Sequence, residues 1–122
     1  MHSIKLRQIT WVGASLHDLK SFPEYVQKEI GFSLYRAQEG KMPHNAKFLK
    51  GLDPGIIEIV SDYNKNTYRA VYAVKLGEDL YVLHVFQKKS KTGIKTPKQD
   101  INLIKKRLTI AKEDAKKRVS EI

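Results

Sequence analysis

No cysteine occurs among the 122 residues. That excludes a disulfide framework and a thiolate metal site, and it fits a reducing compartment. No apolar run approaches the ~20 residues that a membrane-spanning helix needs. The opening MHSIKLRQITW has no apolar stretch of the kind that marks a signal peptide. A cytoplasmic protein with no membrane contact is therefore expected. The histidines His2, His17, His44 and His84 have no partner His, Asp or Glu at ligand spacing within a recognisable motif, so no metal is expected. P-loop, GxGxxG and GxSxG patterns are missing too, and no small-molecule cofactor is implied. Acid is missing from one stretch in particular. FQKKSKTGIKTP, Phe86 to Pro97, carries Lys88, Lys89, Lys91 and Lys95 with no opposing carboxylate.

What is present is a basic chain of uneven charge. Its formal net charge is +10. Between Gln87 and Arg118 lie 12 basic and 3 acidic side chains, whereas the other 90 residues hold 11 and 10. One third of the chain thus owns nearly all the excess. Such asymmetry points to a polyanionic partner: nucleic acid, an anionic membrane surface or an acidic protein. A merely solvated basic helix is the plainer reading of the same numbers.

The length suits one domain, 1–122, with a core that needs no covalent staple. IKLRQITWV (Ile4–Val12) reads as a strand whose alternation changes phase near Gln8, the mark of a bulge or an edge strand. Ser15 before Asp18, and Ser21 with Pro23 and Glu24, read as helix N-terminal signals. Phe22, Val26, Ile30, Leu34 and Ala37 recur at helical spacing, and Gly40 is the stop. Lys41–Gly55 reads as a loop with a short helical turn at Asn45–Leu49. IIEIV, YRAVYAVKL and LYVLHVF then read as three strands joined by hairpin turns. Thr96, Pro97 and Gln99 open a last helix with a narrow stripe of Ile101, Ile104, Leu108, Ala111 and Ala115. The order β-α-α-β-β-β-α predicts an α+β fold whose helices cover one face of a mainly antiparallel sheet.

Several side chains are candidates for chemistry. Arg69 lies on a strand, where an arginine needs a partner. Glu58 on the preceding strand is one candidate partner, and a phosphate that fits the guanidinium fork is another. His84 is either a satisfied sheet histidine, pointing opposite to Leu83, or an acid and base with a suitable pKa. Lys88, Lys89, Lys91 and Lys95 form either a solvated loop or a polyanion grip. Tyr63, Tyr68 and Tyr72 are packing residues or a base-stacking surface.

The segments LKGL, YRAVY, LYVLHVFQKKS and KTPKQDI, in this order, resemble the phage-derived Gp49-like, HigB-type branch of the RelE/ParE toxin superfamily, from Ile4 to about Arg118. The resemblance implies a single RelE-like domain, a small curved antiparallel sheet with N-terminal helices on one face, and a C-terminal helix. It implies the toxin of a type II toxin–antitoxin pair, whose usual activity is metal-independent cleavage of mRNA on the translating ribosome. The implied partners are that mRNA and a cognate antitoxin, expected to be a helix-turn-helix DNA-binding protein. In this family the strand arginine binds the scissile phosphate, and Arg69 is the matching position. Lys88 and Lys89 match the lysines after the last strand. Many relatives also carry a basic residue where this chain has Val60, so Lys47, Lys65 or the loop residues Lys91 and Lys95 are expected to substitute in holding RNA. His84 is the candidate acid or base, and with Arg69 and Lys88 completes the expected catalytic set. A gyrase poison of the ParE type, or a nucleic-acid-binding module without activity, is the alternative.

Overall fold

The computed structural model describes residues 5–88 and 96–120. Its elements are β1 (Ile9–Trp11), α1 (Ser15–Lys20), α2 (Glu24–Gln38), β2 (Ala46–Phe48), β3 (Ile56–Tyr63), β4 (Asn66–Ala73), β5 (Leu80–Lys88) and α3 (Lys98–Ser120). The strands form one sheet in the order β1-β5-β4-β3-β2. β2 to β5 pair antiparallel, and β1 joins β5 in parallel, with Thr10 opposite Tyr81. The architecture is α+β as expected, with an open mixed sheet in place of a wholly antiparallel one. Among the described residues no helix is long and apolar enough to cross a membrane.

Strand alternation decides which side chains meet which helix. On β4, Tyr68, Ala70 and Tyr72 face α1 and α2 together with Ile57, Ile59 and Val82, and meet Leu19, Val26, Ile30 and Leu34. The other parity, Val71 and Ala73, packs with Ile56, Tyr81 and Leu83 against Ile104, Leu108, Ala111 and Ala115 of α3. The narrow stripe read from the sequence is therefore the buried stripe of α3. However, α3 lies across the sheet from α1 and α2, so helices cover both faces and not one. Each fully buried Ile or Leu in these layers contributes about 1.5–3 kcal/mol.

Local signals resolve in several ways. Asn64 and Lys65, both at positive φ (51° and 65°), make a two-residue turn between Tyr63 and Asn66, the mirror-image geometry that suits the twist of a hairpin. Gly40, at φ 84°, ends α2, its N–H donating to the Ala37 carbonyl. Ser15 and Ser21 do not cap as expected. Ser15 is the first residue of α1, and its hydroxyl donates to the Val82 carbonyl on β5 at 3.2 Å. Ser21 closes α1 and donates to the Asp18 carbonyl, while Pro23 occupies the cap position of α2. The expected helical turn at Asn45–Leu49 is instead edge strand β2, with Lys47 opposite Glu58 and Phe48 opposite Ile57. The phase change near Gln8 marks the entry to β1, the opposite edge strand.

One irregularity positions a site residue. The β4–β5 register shifts between Val71 and Tyr72, pairing Val71 with His84 and Tyr72 with Val82. Leu83 is the extra residue of a bulge. Leu83 packs in the α3 layer and His84 reaches Asp100 of α3. Both therefore turn the same way, where strict alternation would oppose them.

Candidate functional site

Four ionisable side chains are buried on the α3 face of the sheet: Glu58 on β3, Arg69 on β4, and His84 and Lys88 on β5. Such residues are rarely buried unless they serve one another. Glu58 is fully enclosed. Its Oε1 accepts from Arg69 Nη1 at 2.7 Å, and its Oε2 accepts from the Thr96 hydroxyl at 2.9 Å. The strand partner weighed for Arg69 is therefore its partner in the fold. Thr96 spends its hydroxyl on this carboxylate just before α3 begins. A second tie lies alongside. His84 Nε2 meets Asp100 Oδ1 at 2.8 Å, and its ring stacks on Phe86 with centroids 4.5 Å apart. The start of α3 is thus fastened to the sheet by two polar contacts, Glu58–Thr96 and His84–Asp100.

Electrostatics show how tightly the cations are gathered. Burial pushes the Lys88 ammonium below its ordinary pKa; the nearby charges of Arg69 and Lys47 push the same way, and Glu58 opposes them. Arg69, Lys88 and Lys47 therefore surround one carboxylate, with more positive than negative charge. An anion brought to this corner relieves their mutual repulsion. The corner opens on a cleft of about 520 Å³ between β2 and the start of α3, lined by Lys47, Phe48, Leu49, Lys50, Glu58, Thr96 and Ile101.

Of the side chains singled out from sequence, the fold brings together Arg69, His84 and Lys88 on one face, with Lys47 at the adjoining cleft. Lys65 stands exposed at the β3–β4 turn and does not line the cleft. Lys89, Lys91 and Lys95 lie outside the described residues. Val60 is directly opposite Arg69 across the β3–β4 pair, so a cation at that position would stand beside the guanidinium. The tyrosines belong to the other face. Tyr63 stacks on Tyr25, Tyr68 packs on Phe22, and burial pushes the Tyr72 phenol up to about 12. Sequence reasoning did not name Thr96, Asp100, Phe48 or Lys50 as site residues, and treated Glu58 only as a partner. The available signal for Glu58 was an acid inside an otherwise apolar strand, IIEIV. Among the described residues no group of three or more His, Asp or Glu is placed to hold a metal ion.

A family model described as phage derived protein Gp49-like (DUF891) matches residues 17–109, a span that contains every residue of the buried cluster and of the cleft. Neither the curated proteins nor the solved structures give a match.

Proposed function

The chain belongs to the phage-derived Gp49-like family, and from that premise we propose that it is the toxin of a toxin–antitoxin pair, a ribosome-dependent mRNA endonuclease. Family membership supports the toxin part. The observation that carries the chemical part is the gathering of Arg69, Lys88 and Lys47 around Glu58 at the edge of an open cleft.

In the proposed reaction a ribose 2′-OH attacks the adjacent phosphorus and the bond to the 5′-oxygen breaks, leaving a 2′,3′-cyclic phosphate and a 5′-hydroxyl. Lys88 takes the 2′-OH proton. Its lowered pKa raises the share of neutral amine at working pH, which a general base requires. Arg69, held through one nitrogen by Glu58, offsets the charge that develops on the phosphoryl oxygens, as does Lys47. His84, its Nε2 shared with Asp100, is the candidate acid for the leaving 5′-oxygen. Lys89, Lys91 and Lys95 would grip the RNA strand beyond the site. A basic surface of this kind needs cover in the host cell, and a helix-turn-helix antitoxin with acidic complementarity is the proposed partner.

The test is to add the purified chain to translating ribosomes and map new 5′ ends on the mRNA. Cuts that require the ribosome support the reading. Intact mRNA, combined with inhibition of gyrase supercoiling, would replace it with the ParE-type alternative.

A further inference from the structure

Phe48 lies on the edge strand β2 with 60% of its surface exposed. Its ring has no aromatic partner among the described residues. It stands at the cleft beside the cation corner, where Leu49 and Ile101 supply the apolar lining and Lys47 and Lys50 are exposed on either side of it in sequence. Lys47 shares a row of the sheet with Glu58, and its charge is felt at Lys88. An apolar slot with an open aromatic ring thus adjoins the proposed phosphate site without a break. The cleft volume of about 520 Å³ lies in the range of small-ligand sites.

We infer that Phe48, Leu49 and Ile101 form a subsite for one unstacked base of single-stranded RNA, with Lys47 and Lys50 on the flanking phosphates. The chemistry of the lining favours this occupant. A protein side chain would use the apolar slot but not its lysine borders, whereas a nucleotide offers a flat π-face and a phosphate together. A duplex keeps its bases stacked and cannot seat one on the ring. The inference takes the phosphate site from the ribonuclease reading, but its test needs no cleavage.

The test is the affinity of the full chain for a labelled short single-stranded oligoadenylate, measured by anisotropy across a salt series. An abasic strand with the same number of phosphates serves as the second probe. Phe48→Ala is expected to weaken oligoadenylate binding about 5- to 100-fold, the worth of one base on an aromatic ring. It should leave abasic binding and the salt slope unchanged, because no charge is lost. Phe48→Tyr should bind as the parent does, and Phe48→Leu should not. The inference is overturned if the parent binds no oligoadenylate at low salt, or if Phe48→Ala binds it as tightly as the parent. It is also overturned if Phe48→Leu restores binding fully, or if Phe48→Ala loses only neutralisation by an antitoxin. Stacking on Phe48 without cuts on ribosomes would remove the cleavage reading alone. Cuts that persist with unchanged RNA affinity in Phe48→Ala would remove the subsite alone.

Discussion

On the α1–α2 side of the sheet, Ile57, Ile59, Ala70, Tyr72, Leu80 and Val82 meet Val26, Ile30 and Leu34 in an almost wholly apolar layer. On the α3 side that pattern covers only part of the sheet, where Ile56, Ala73 and Tyr81 meet Leu108, Ala111 and Ala115. The rest of the same face presents Glu58, Arg69, His84 and Lys88, buried yet charged or polar. A single sheet thus combines a layer that only stabilises with a layer divided between stability and chemistry. The division follows α3. Its apolar stripe reaches Ile104, whereas its first turn offers Asp100, with Thr96 just ahead of it. The apolar layers supply the surplus stability against which a buried charge cluster is kept.

The largest expected effect comes from breaking the cluster on one side only. Glu58→Ala leaves Arg69 buried without its carboxylate and should cost about 3–5 kcal/mol in denaturant unfolding. Arg69→Ala should cost a similar amount, so loss of toxicity in that variant alone would not separate chemistry from folding.

In the apolar layer, Ile30→Ala should cost about 2–5 kcal/mol. Cleavage per folded molecule should stay unchanged, and a specific fall in the cleavage rate of folded Ile30→Ala protein would blur the division between the faces. Thr96→Ala removes one hydrogen bond to an ionised group and should cost about 1.5–3 kcal/mol in the same assay.

The pH dependence of Lys88 sharpens the contrast further. Its folded pKa lies below the ordinary 10.5, so the unfolded chain binds more protons between those two values. Lys88 therefore opposes folding at neutral pH, and the opposition fades as pH rises through the folded pKa. Cleavage should rise with pH over the approach to that pKa. Lys88→Gln should flatten that limb of the rate profile, and an unaltered profile would exclude Lys88 as the base. The smallest change in stability belongs to Lys47→Gln, within about 0.5 kcal/mol because the side chain is exposed. Its salt dependence of single-stranded RNA binding should nevertheless flatten by about 0.7 in log–log slope.

Much of this division was legible before the fold was known. Val26, Ile30 and Leu34 at helical spacing, and the YRAVYAVKL alternation, follow from local periodicity, so α2 and β4 were readable. So was the possibility of a Glu58–Arg69 pair, because both sit on adjacent strands. What was not readable is non-local. The stripe on α3 shows which side of the helix is buried but not which face of the sheet receives it. β2 is three residues long and exists through its pairing with Ile57–Ile59, so its own sequence carries little signal. The bulge that turns His84 toward Asp100 is a mismatch between two strands, invisible in either one. Ser15 looked like a cap and instead reaches β5, since a hydroxyl bonds to whichever carbonyl the tertiary fold brings within range. The basic excess announced a polyanion partner, but Phe48 and Lys50 became parts of a cleft only when β2 was set beside α3.

The most direct test of the charged half replaces the ion pair as a unit. In Glu58→Leu/Arg69→Met an apolar pair of similar size fills the site. Such exchanges are commonly neutral or stabilising by about 1–4 kcal/mol. Lys88 loses a repelling and an attracting neighbour together. Cleavage of mRNA on translating ribosomes should be measured for the parent and for this double variant, with folding confirmed by unfolding curves. The account predicts ribosome-dependent cuts by the parent and at least a hundredfold slower cutting by a double variant that unfolds no earlier, a difference worth about 2.7 kcal/mol of barrier. A well-folded double variant that cuts at the parent rate would show that the buried charges only hold the fold together.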